Sequence, residues 1–303
     1  MMKSPKISDD VRLNNNGNTT LKNITEELDS RKQSDKRDQI HAPPNSFRIH
    51  NIFNIILDLS RSLVKTSLTY YPSKSPQVIR DDVNKLSKIP KTISCILDLK
   101  DEDDENGGKD GLISSISELT AWSISAGLKK LIIYEFTGTL TQSTECVADL
   151  RKYITKTLTL YFGTEAIPTF SIRVPHKNLI IYSDNYKSDK NVIADLEIDL
   201  ISRVDGKPTL VELTKTMSEL AVNRELSIKD ITIDLIDEEL RELVGPEPDL
   251  LISFAPSLNL EDYPPWHIRL SEIYWEPDNK DVNYAVFLRA LQQFSNCKIN
   301  IGK

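Results

Sequence analysis

From Pro76 onward, short apolar runs of strand length alternate with segments whose apolar residues recur at helical spacing. Strands that alternate with helices in this way are typical of α/β domains, because a helical crossover places consecutive strands parallel in one sheet. The sequence therefore predicts an α/β fold, a largely parallel sheet surrounded by helices. Strands are expected at 93–99, 131–134, 170–174, 179–182, 196–200 and 249–252. Helices are expected at 112–127, 141–162, 208–220, 233–244 and 281–294, the last with Asp281 as N-cap.

The first 46 residues have a different character from the rest of the chain. They contain only ten apolar side chains and mix eight basic with seven acidic groups. Such a segment cannot bury enough apolar surface to offset the conformational entropy lost on folding. We therefore predict a disordered tail over 1–46.

Residues 47–71 predict an amphipathic helical segment. Their longest uninterrupted apolar run is three residues, far short of the ~20 needed to cross a bilayer. Two interpretations need the same apolar stripe and stay open: a helix packed on its own domain or a partner, and a helix lying in a membrane interface. The stripe consists of Ile49, Ile52, Phe53, Ile56, Leu59 and Leu63.

Charge and cysteine content exclude several classes of protein. The net charge of −7 argues against a general nucleic-acid binder, which would carry a basic surface. Cys95, Cys146 and Cys297 are widely spaced and form no CxxC pair, so neither a disulfide framework nor a zinc site is indicated. A reducing, cytosol-facing location fits best.

The chain lacks the common signatures for phosphate-cradling loops, nucleophile elbows and zinc hydrolases. A glycine cluster at 107–111 follows five consecutive carboxylates at 101–105, whose charge would repel a diphosphate, and is interpreted as a solvated surface loop. Asp98 ends a predicted strand, where a lone aspartate is more often a turn residue than a metal ligand. His267 is interpreted as a packed, hydrogen-bonded side chain rather than a base.

Three runs carry a resemblance to a known family: PDLLI at 248–252, PPWHIRL at 264–270 and the ending CKINIGK at 297–303. They resemble the Nogo-B receptor family, the non-catalytic subunit of eukaryotic cis-prenyltransferase that pairs with dehydrodolichyl diphosphate synthase, and specifically its fungal type. The similarity covers 75–303, which is identified as a cis-prenyltransferase-like domain. It implies the undecaprenyl-diphosphate-synthase fold, in agreement with the alternation of strands and helices.

The resemblance also implies a degenerate catalytic site. Where catalytic relatives have Asp-Gly-Asn after the first strand, this chain keeps Asp98 and continues with leucine and lysine, which leaves Asp98 as a vestigial metal candidate. Ser253 and Asn259 replace two arginines that bind the substrate diphosphate, and Ser257 replaces a site glutamate. Loss of both guanidinium groups removes bidentate phosphate contacts, so the chain is expected to be inactive alone.

In this family the carboxyl-terminal tail completes the active site of the partner. The family's Arg-x-Gly motif corresponds here to Asn300, Ile301 and Gly302, which are expected to bind diphosphate through backbone N–H groups, with Asn300 and Gly302 contributing in trans. The implied cofactor is Mg²⁺, bound mainly by the catalytic partner. The implied substrates at the shared site are isopentenyl and allylic diphosphates.

The leading hypothesis is an accessory subunit of dehydrodolichyl diphosphate synthase, which stabilises the catalytic subunit and supports synthesis of the cis-polyprenyl precursor of dolichol. The expected location is the cytosolic face of the endoplasmic reticulum membrane, bound peripherally or through the partner. Helices near 231–244 and 282–294, with Trp266 and Trp275, are candidates for the partner surface, although core packing would explain them equally. An autonomous cis-prenyltransferase and a non-enzymatic lipid- or receptor-type binding module are the alternatives.

Overall fold

The computed structural model describes residues 75–186 and 193–297. The predicted segments at 1–46 and 47–71 and the tail residues Asn300, Ile301 and Gly302 lie outside the described residues. The helices are α1 (Pro76–Val83), α2 (Gly108–Ser125), α3 (Thr144–Phe162), α4 (Lys207–Val222), α5 (Ile233–Leu243) and α6 (Tyr284–Asn296). The strands are β1 (Thr92–Ile96), β2 (Lys130–Tyr134), β3 (Phe170–Val174), β4 (Leu179–Tyr182), β5 (Leu196–Ile201), β6 (Leu250–Ser253) and β7 (Glu272–Trp275).

The strands form a seven-stranded sheet in the order β4-β3-β5-β2-β1-β6-β7. Neighbouring strands pair in parallel except β4, which returns antiparallel beside β3 as an edge strand. In the inner strand β1, Cys95 lies opposite Ile133 of β2 on one side and Ile252 of β6 on the other. The carboxyl ends of the parallel strands therefore meet at one edge of the sheet, here called the carboxyl edge, and their starts form the amino edge. The predicted fold class is confirmed.

The larger core lies on the sheet face that is covered by α1, α2, α3 and α6. Trp122 of α2 is fully buried there, with its ring centroid 5.6 Å from that of Tyr284 and 5.7 Å from that of Phe287, both on α6. Edge-on and tilted aromatic pairs at this spacing add to the energy gained by burying apolar area. The contacts join the second helix of the domain to the last one.

The opposite face holds a smaller core at one end and a charge network at the other. In the network, the buried carboxylate of Asp199 on β5 lies 3.0 Å from Lys130 Nζ and 3.1 Å from the Arg173 guanidinium. Arg173 also donates a hydrogen bond of 2.8 Å to the carbonyl oxygen of Val244, just after α5. The network therefore ties the end of α5 to three strands of the sheet.

The PPWHIRL run at 264–270 precedes β7 in the chain and packs against α5. The Trp266 indole donates to Asp237 at 2.9 Å, and Arg269 donates to the same carboxylate at 2.6 Å while its guanidinium lies 4.5 Å from the Trp266 ring centre. His267 is buried and donates through Nε2 to the Gly245 carbonyl at 2.9 Å. Burial holds the pKa of His267 below its ordinary value, which favours the neutral ring. The prediction of a packed, hydrogen-bonded histidine is confirmed.

The predicted start of the last helix is wrong by two residues. Asn283, not Asp281, is the N-cap of α6, because the Asn283 side chain accepts a hydrogen bond of 3.0 Å from the backbone N–H of Val286. Asp281 instead forms an ion pair with Lys100 across the carboxyl edge. Both aspartate and asparagine are common N-cap residues, so the sequence does not decide between Asp281 and Asn283. The ion pair of Asp281 with Lys100 is a tertiary contact that the sequence does not show.

Two elements, α1 and β7, were not predicted from the sequence. The eight-residue helix α1 begins at a proline and buries only two apolar side chains, Ile79 and Val83, which is too short a stripe to predict a helix. The strand β7 is the outermost strand on its side of the sheet, and only Tyr274 of its four residues is buried. Its sequence therefore lacks a clear alternation of buried apolar and exposed polar residues. Trp275, expected on a partner surface, belongs to this strand and is half-buried.

Candidate functional site

Three carboxylates come together at the carboxyl edge of the sheet. Asp98 follows β1, Glu135 follows β2, and Glu261 lies in the loop after β6. We call these three residues the carboxylate cluster. The pKa of Asp98 is raised above its ordinary value by loss of solvent and by the charge of Glu135, with Lys100 opposing, although the residue remains open to water. The pKa of Glu261 is likewise raised, first by partial burial and then by the charges of Asp98 and Glu135.

In the loop after β2, backbone N–H groups donate hydrogen bonds to a carboxylate of the same loop, that of Glu135. Both oxygens of Glu135 accept hydrogen bonds, from the N–H and hydroxyl of Thr137 at 2.7 and 2.6 Å and from the N–H of Thr139 at 2.7 Å. Successive backbone N–H groups that point at one spot form an anion-binding concavity. Here Glu135 occupies that concavity, so those donors are engaged before any phosphate arrives.

A cleft of about 460 Å³ opens beside Asp98. Its walls carry carboxylates from the acidic loop, Asp104 and Glu105, together with Asp281, while Lys100 and Lys280 supply the opposing charge. Carboxylates therefore outnumber cations in the lining, and a diphosphate would enter against net repulsion.

The glycines beside this cleft do not form a solvated loop, so that interpretation was wrong for them. Gly108 and Gly111 are buried in the first turn of α2, whereas the carboxylates at 101–105 are exposed as expected. A Cβ on Gly107 would lie 1.8 Å from the Asp101 carbonyl oxygen, and one on Gly111 would lie 1.8 Å from that of Asn106. The acidic loop thus packs directly on the start of the helix, and only glycine leaves room for it.

The three degenerate positions lie along β6 and its following loop. Ser253 is the last residue of β6; it is completely buried, and its hydroxyl has no hydrogen-bond partner among residues 75–186 and 193–297. Ser257 is exposed, and Asn259 accepts a hydrogen bond of 3.1 Å from the N–H of Glu261 through its side-chain oxygen. Asn259 thus orders the loop that carries Glu261. None of the three side chains is a cation that could bind a diphosphate.

Asp98 does not have the neighbours that a metal ion requires. Within the described ranges, no group of three or more His, Cys, Asp or Glu side chains is placed to hold a metal. One candidate co-ligand, Glu135, already has both oxygens engaged by its own loop. The residues present therefore do not fit a magnesium site in this chain.

A second surface feature is an apolar groove of about 540 Å³ beside α4 and α5. It is open to solvent, and at its rim Val222 and Ile228 are each 79% exposed. Trp266, one of the two tryptophans expected on a partner surface, lies in its wall. The apolar groove is lined mainly by Leu210, Leu213, Met217, Ala221, Val222, Ile228, Ile231, Ile236 and Trp266.

The last described residue, Cys297, lies at the amino edge of the sheet, at the end opposite to the carboxylate cluster. Its thiol is 3.2 Å from the carboxylate of Glu272, the first residue of β7. The Cys297 carbonyl accepts a hydrogen bond of 2.5 Å from Lys88, which precedes β1. Cys297 therefore lies at the edge away from this chain's own Asp98.

Sequence reasoning missed Glu135 and Glu261. The placement of Glu135 carried a usable signal, because it directly follows the apolar strand at 131–134 and so had to lie at the carboxyl edge. Glu261 carried no such signal, since its position depends on how the loop after β6 folds back. That loop is held at Tyr134, whose hydroxyl donates to the Glu261 carbonyl.

Among the described helices, none combines the length and the apolar character that crossing a bilayer requires. No family model matches the chain. The chain is 45% identical over 249 residues to the dehydrodolichyl diphosphate synthase complex subunit NUS1 of Saccharomyces cerevisiae, covering 78% of this chain and 66% of the yeast protein. It is 37% identical over 233 residues to the subunit of the same name from Schizosaccharomyces pombe, covering 77% and 84%.

More distant relatives include an enzyme. The chain is 20% identical over 209 residues to a tritrans,polycis-undecaprenyl-diphosphate synthase of Picrophilus torridus, covering 66% of this chain and 82% of that enzyme. Among solved structures, lavandulyl diphosphate synthase from Lavandula x intermedia in complex with dimethylallyl diphosphate matches with a TM-score of 0.48 and 17% identity, covering 71% of this chain and 99% of that one.

Proposed function

The chain belongs to the family of NUS1 subunits of the dehydrodolichyl diphosphate synthase complex, and from that premise we propose that it is the accessory subunit of a heteromeric cis-prenyltransferase. In this proposal a catalytic partner condenses isopentenyl diphosphate with an allylic diphosphate and releases diphosphate. This chain stabilises the partner and completes its active site. The product is the cis-polyprenyl diphosphate from which dolichol for protein glycosylation is made.

The observation that carries the proposal is the chemistry at the carboxyl edge. Open α/β sheets bind ligands there, and a diphosphate needs cations and free N–H donors. This chain instead presents the carboxylate cluster, with Glu135 seated on the N–H groups of its own loop. Ser253 and Asn259 supply no charge to offset it. The arrangement supports a subunit that is inactive alone.

The position of Cys297, from which the tail continues, supports a role for the tail at the partner's active site rather than at this chain's own carboxyl edge. Cys297 lies at the amino edge, and the five residues from there to Gly302 reach at most about 18 Å when extended. The strand β1 and the two residues to Asp98 span a similar distance, roughly 20 Å, so the tail would need full extension along its own domain to reach its own carboxylate cluster. A partner site next to the amino edge is within easy reach. We infer that Asn300 and Gly302 act there, with backbone N–H groups of the Asn-Ile-Gly triplet contacting diphosphate.

The apolar groove supports a docking surface for the catalytic subunit. A pocket for a small lipid normally encloses most of its ligand, whereas this groove is open and has exposed apolar side chains at its rim. Contiguous exposed apolar surface of this kind marks protein contact sites in soluble domains. Covering it with a protein partner would stabilise both chains.

The proposal also includes the metal cofactor and the cellular location of the complex. Because the donors near Asp98 do not fit a metal, Mg²⁺ is assigned to the partner's site, where it would neutralise the substrate diphosphates. We place the complex on the cytosolic face of the endoplasmic reticulum membrane, with this chain bound peripherally or through its partner.

The proposal is tested with three samples in one condensation assay: this chain alone, the catalytic subunit alone, and the co-purified pair, each with Mg²⁺ and radiolabelled isopentenyl diphosphate. We expect no incorporation above the blank with this chain alone and strong incorporation with the pair. Brisk elongation by this chain alone would contradict the accessory role. A co-expressed catalytic subunit that neither co-purifies nor gains activity would contradict the complex.

Docking at the apolar groove is tested with Val222→Asp, which places a charge at the exposed rim. Because burying an unpaired carboxylate is costly, we expect the affinity for the catalytic subunit to fall by about tenfold or more, measured by titration of the purified subunits. Val211→Asp is the matched control, since Val211 is also exposed on α4 but lies outside the groove lining. Equal effects of the two variants would remove the groove from the interface.

A further inference from the structure

The segment between α1 and β1 contacts the end of the last helix. The Ser87 N–H donates to the Ser295 hydroxyl at 3.0 Å, and the Ser87 hydroxyl donates to the Ser295 carbonyl at 3.0 Å. The Lys88 ammonium donates to the Cys297 carbonyl at 2.5 Å and lies 4.9 Å from the centre of the Phe294 ring. We call Ser87 and Lys88 the C-terminal clamp.

The clamp acts on the residue where α6 ends. The last carbonyls of a helix have no partner within the helix, and a cation there is favoured by the helix dipole. Lys88 supplies both a donor and a charge at that end. Cys297 has extended backbone angles, φ −70° and ψ 135°, so the chain turns out of the helix at the residue that Lys88 holds.

The same residue is held from its other side by β7. The Cys297 thiol donates to Glu272 at 3.2 Å, and Gln293, one turn earlier, donates to the other oxygen of that carboxylate at 2.9 Å. The point from which residues 298–303 begin is therefore fixed between the α1–β1 segment and the start of β7.

We propose that Ser87 and Lys88 are positioning residues for the tail: they fix its starting point and so determine how Asn300, Ile301 and Gly302 meet the partner's substrates. This inference rests on the proposed function of the tail. Two residues separate Cys297 from Asn300 and four separate it from Gly302, so the tether to the triplet is roughly 10–17 Å long at full extension. If the last turn of α6 opens, the tether lengthens by about four residues, and the effective concentration of the triplet at the partner site falls.

A clamp that merely caps the helix would have a different signature. It would lower the melting temperature, and any loss of activity would be the same with or without the tail. A positioning role requires that the effect on catalysis disappear when the tail is absent, because the clamp then has nothing to position. Coupling between Lys88 and the tail separates the two roles.

The test is a double-mutant cycle in the purified pair. Lys88→Met keeps the apolar stem over Phe294 and removes the ammonium, and it is measured in the full-length chain and in a chain lacking residues 298–303. We expect kcat/KM to fall by about tenfold in the full-length pair, and by less than about twofold in the truncated pair. Lys88→Arg should restore most of the loss. Lys91→Met, at an exposed lysine of the same segment, is the matched control and should leave kcat/KM unchanged.

Each outcome bears on the inference. Equal losses in the two backgrounds, or no loss in the full-length pair, would overturn the positioning role while leaving the tail's own function intact. If truncation by itself has no effect, the proposed function of the tail fails, and the inference falls with it. Should Lys88→Met not assemble, Ser87→Ala gives the same cycle, because it removes the hydroxyl contacts with Ser295 and leaves the lysine in place.

Discussion

Turnover of the assembled pair is expected to fall about a hundredfold when Gly302 is replaced by alanine, while the complex stays intact. A backbone N–H that approaches a diphosphate closely leaves no room for a methyl group on the same residue, and displacement by about an ångström is enough to misalign the contact. The measurement is steady-state condensation by the co-purified pair, with the subunit ratio checked by size-exclusion chromatography.

The matched control for this prediction is Lys303→Ala, which alters the adjacent residue outside the Asn-Ile-Gly triplet. We expect it to retain most of the activity. Asn300→Arg introduces the arginine that the family resemblance implies for this motif position and should also be tolerated, because a guanidinium adds a phosphate contact without changing the backbone. Normal turnover with Gly302→Ala would show that the tail does not act through close backbone approach.

Much of the architecture was predictable because most strands are short apolar runs bounded by turn residues. The strands at 170–174 and 179–182 were predicted with their observed ends, and the helices at 144–162 and 233–243 differ from prediction by a few residues at most. Each of these segments carries its own apolar run or helical stripe, so the sequence identifies it even where, as in β4, the side chains are only half-buried or exposed. The failures, α1 and β7, are short elements whose stability comes from tertiary contacts rather than from their own pattern.

The site was predictable only in part, for a topological reason. Ser253, Ser257 and Asn259 could be located by their order after β6, but the approach of Glu261 to Asp98 and Glu135 depends on which strands are neighbours in the sheet. The position of Cys297 at the amino edge is another such fact, because it follows from α6 running antiparallel to the strands it covers. The position of the last residue before the tail is therefore a property of the fold and not of the tail's sequence.

The largest loss of stability is expected from Asp199→Ala. Asp199 is 1% exposed and carries the negative charge shared by Lys130 and Arg173, whose side chains are only 15% and 26% exposed. Removing the carboxylate leaves two poorly solvated cations beside each other, so the free energy of unfolding should fall by about 3 kcal/mol or more. For a domain of this size that corresponds to a melting temperature roughly 6–12 °C lower.

The control is Glu197→Ala, which removes the other carboxylate near Lys130. Glu197 lies on the same strand, but its side chain is 46% exposed and its oxygen is 3.3 Å from Lys130 Nζ, so water screens the pair and the loss should stay below about 1 kcal/mol. Urea unfolding of both variants measures the difference. Since Arg173 also holds the Val244 carbonyl, the Asp199 variant should loosen α5 and weaken pairing through the adjacent apolar groove as well. Similar stabilities of the two variants would mean that the cations reach solvent, and that the network does not hold α5 on the sheet.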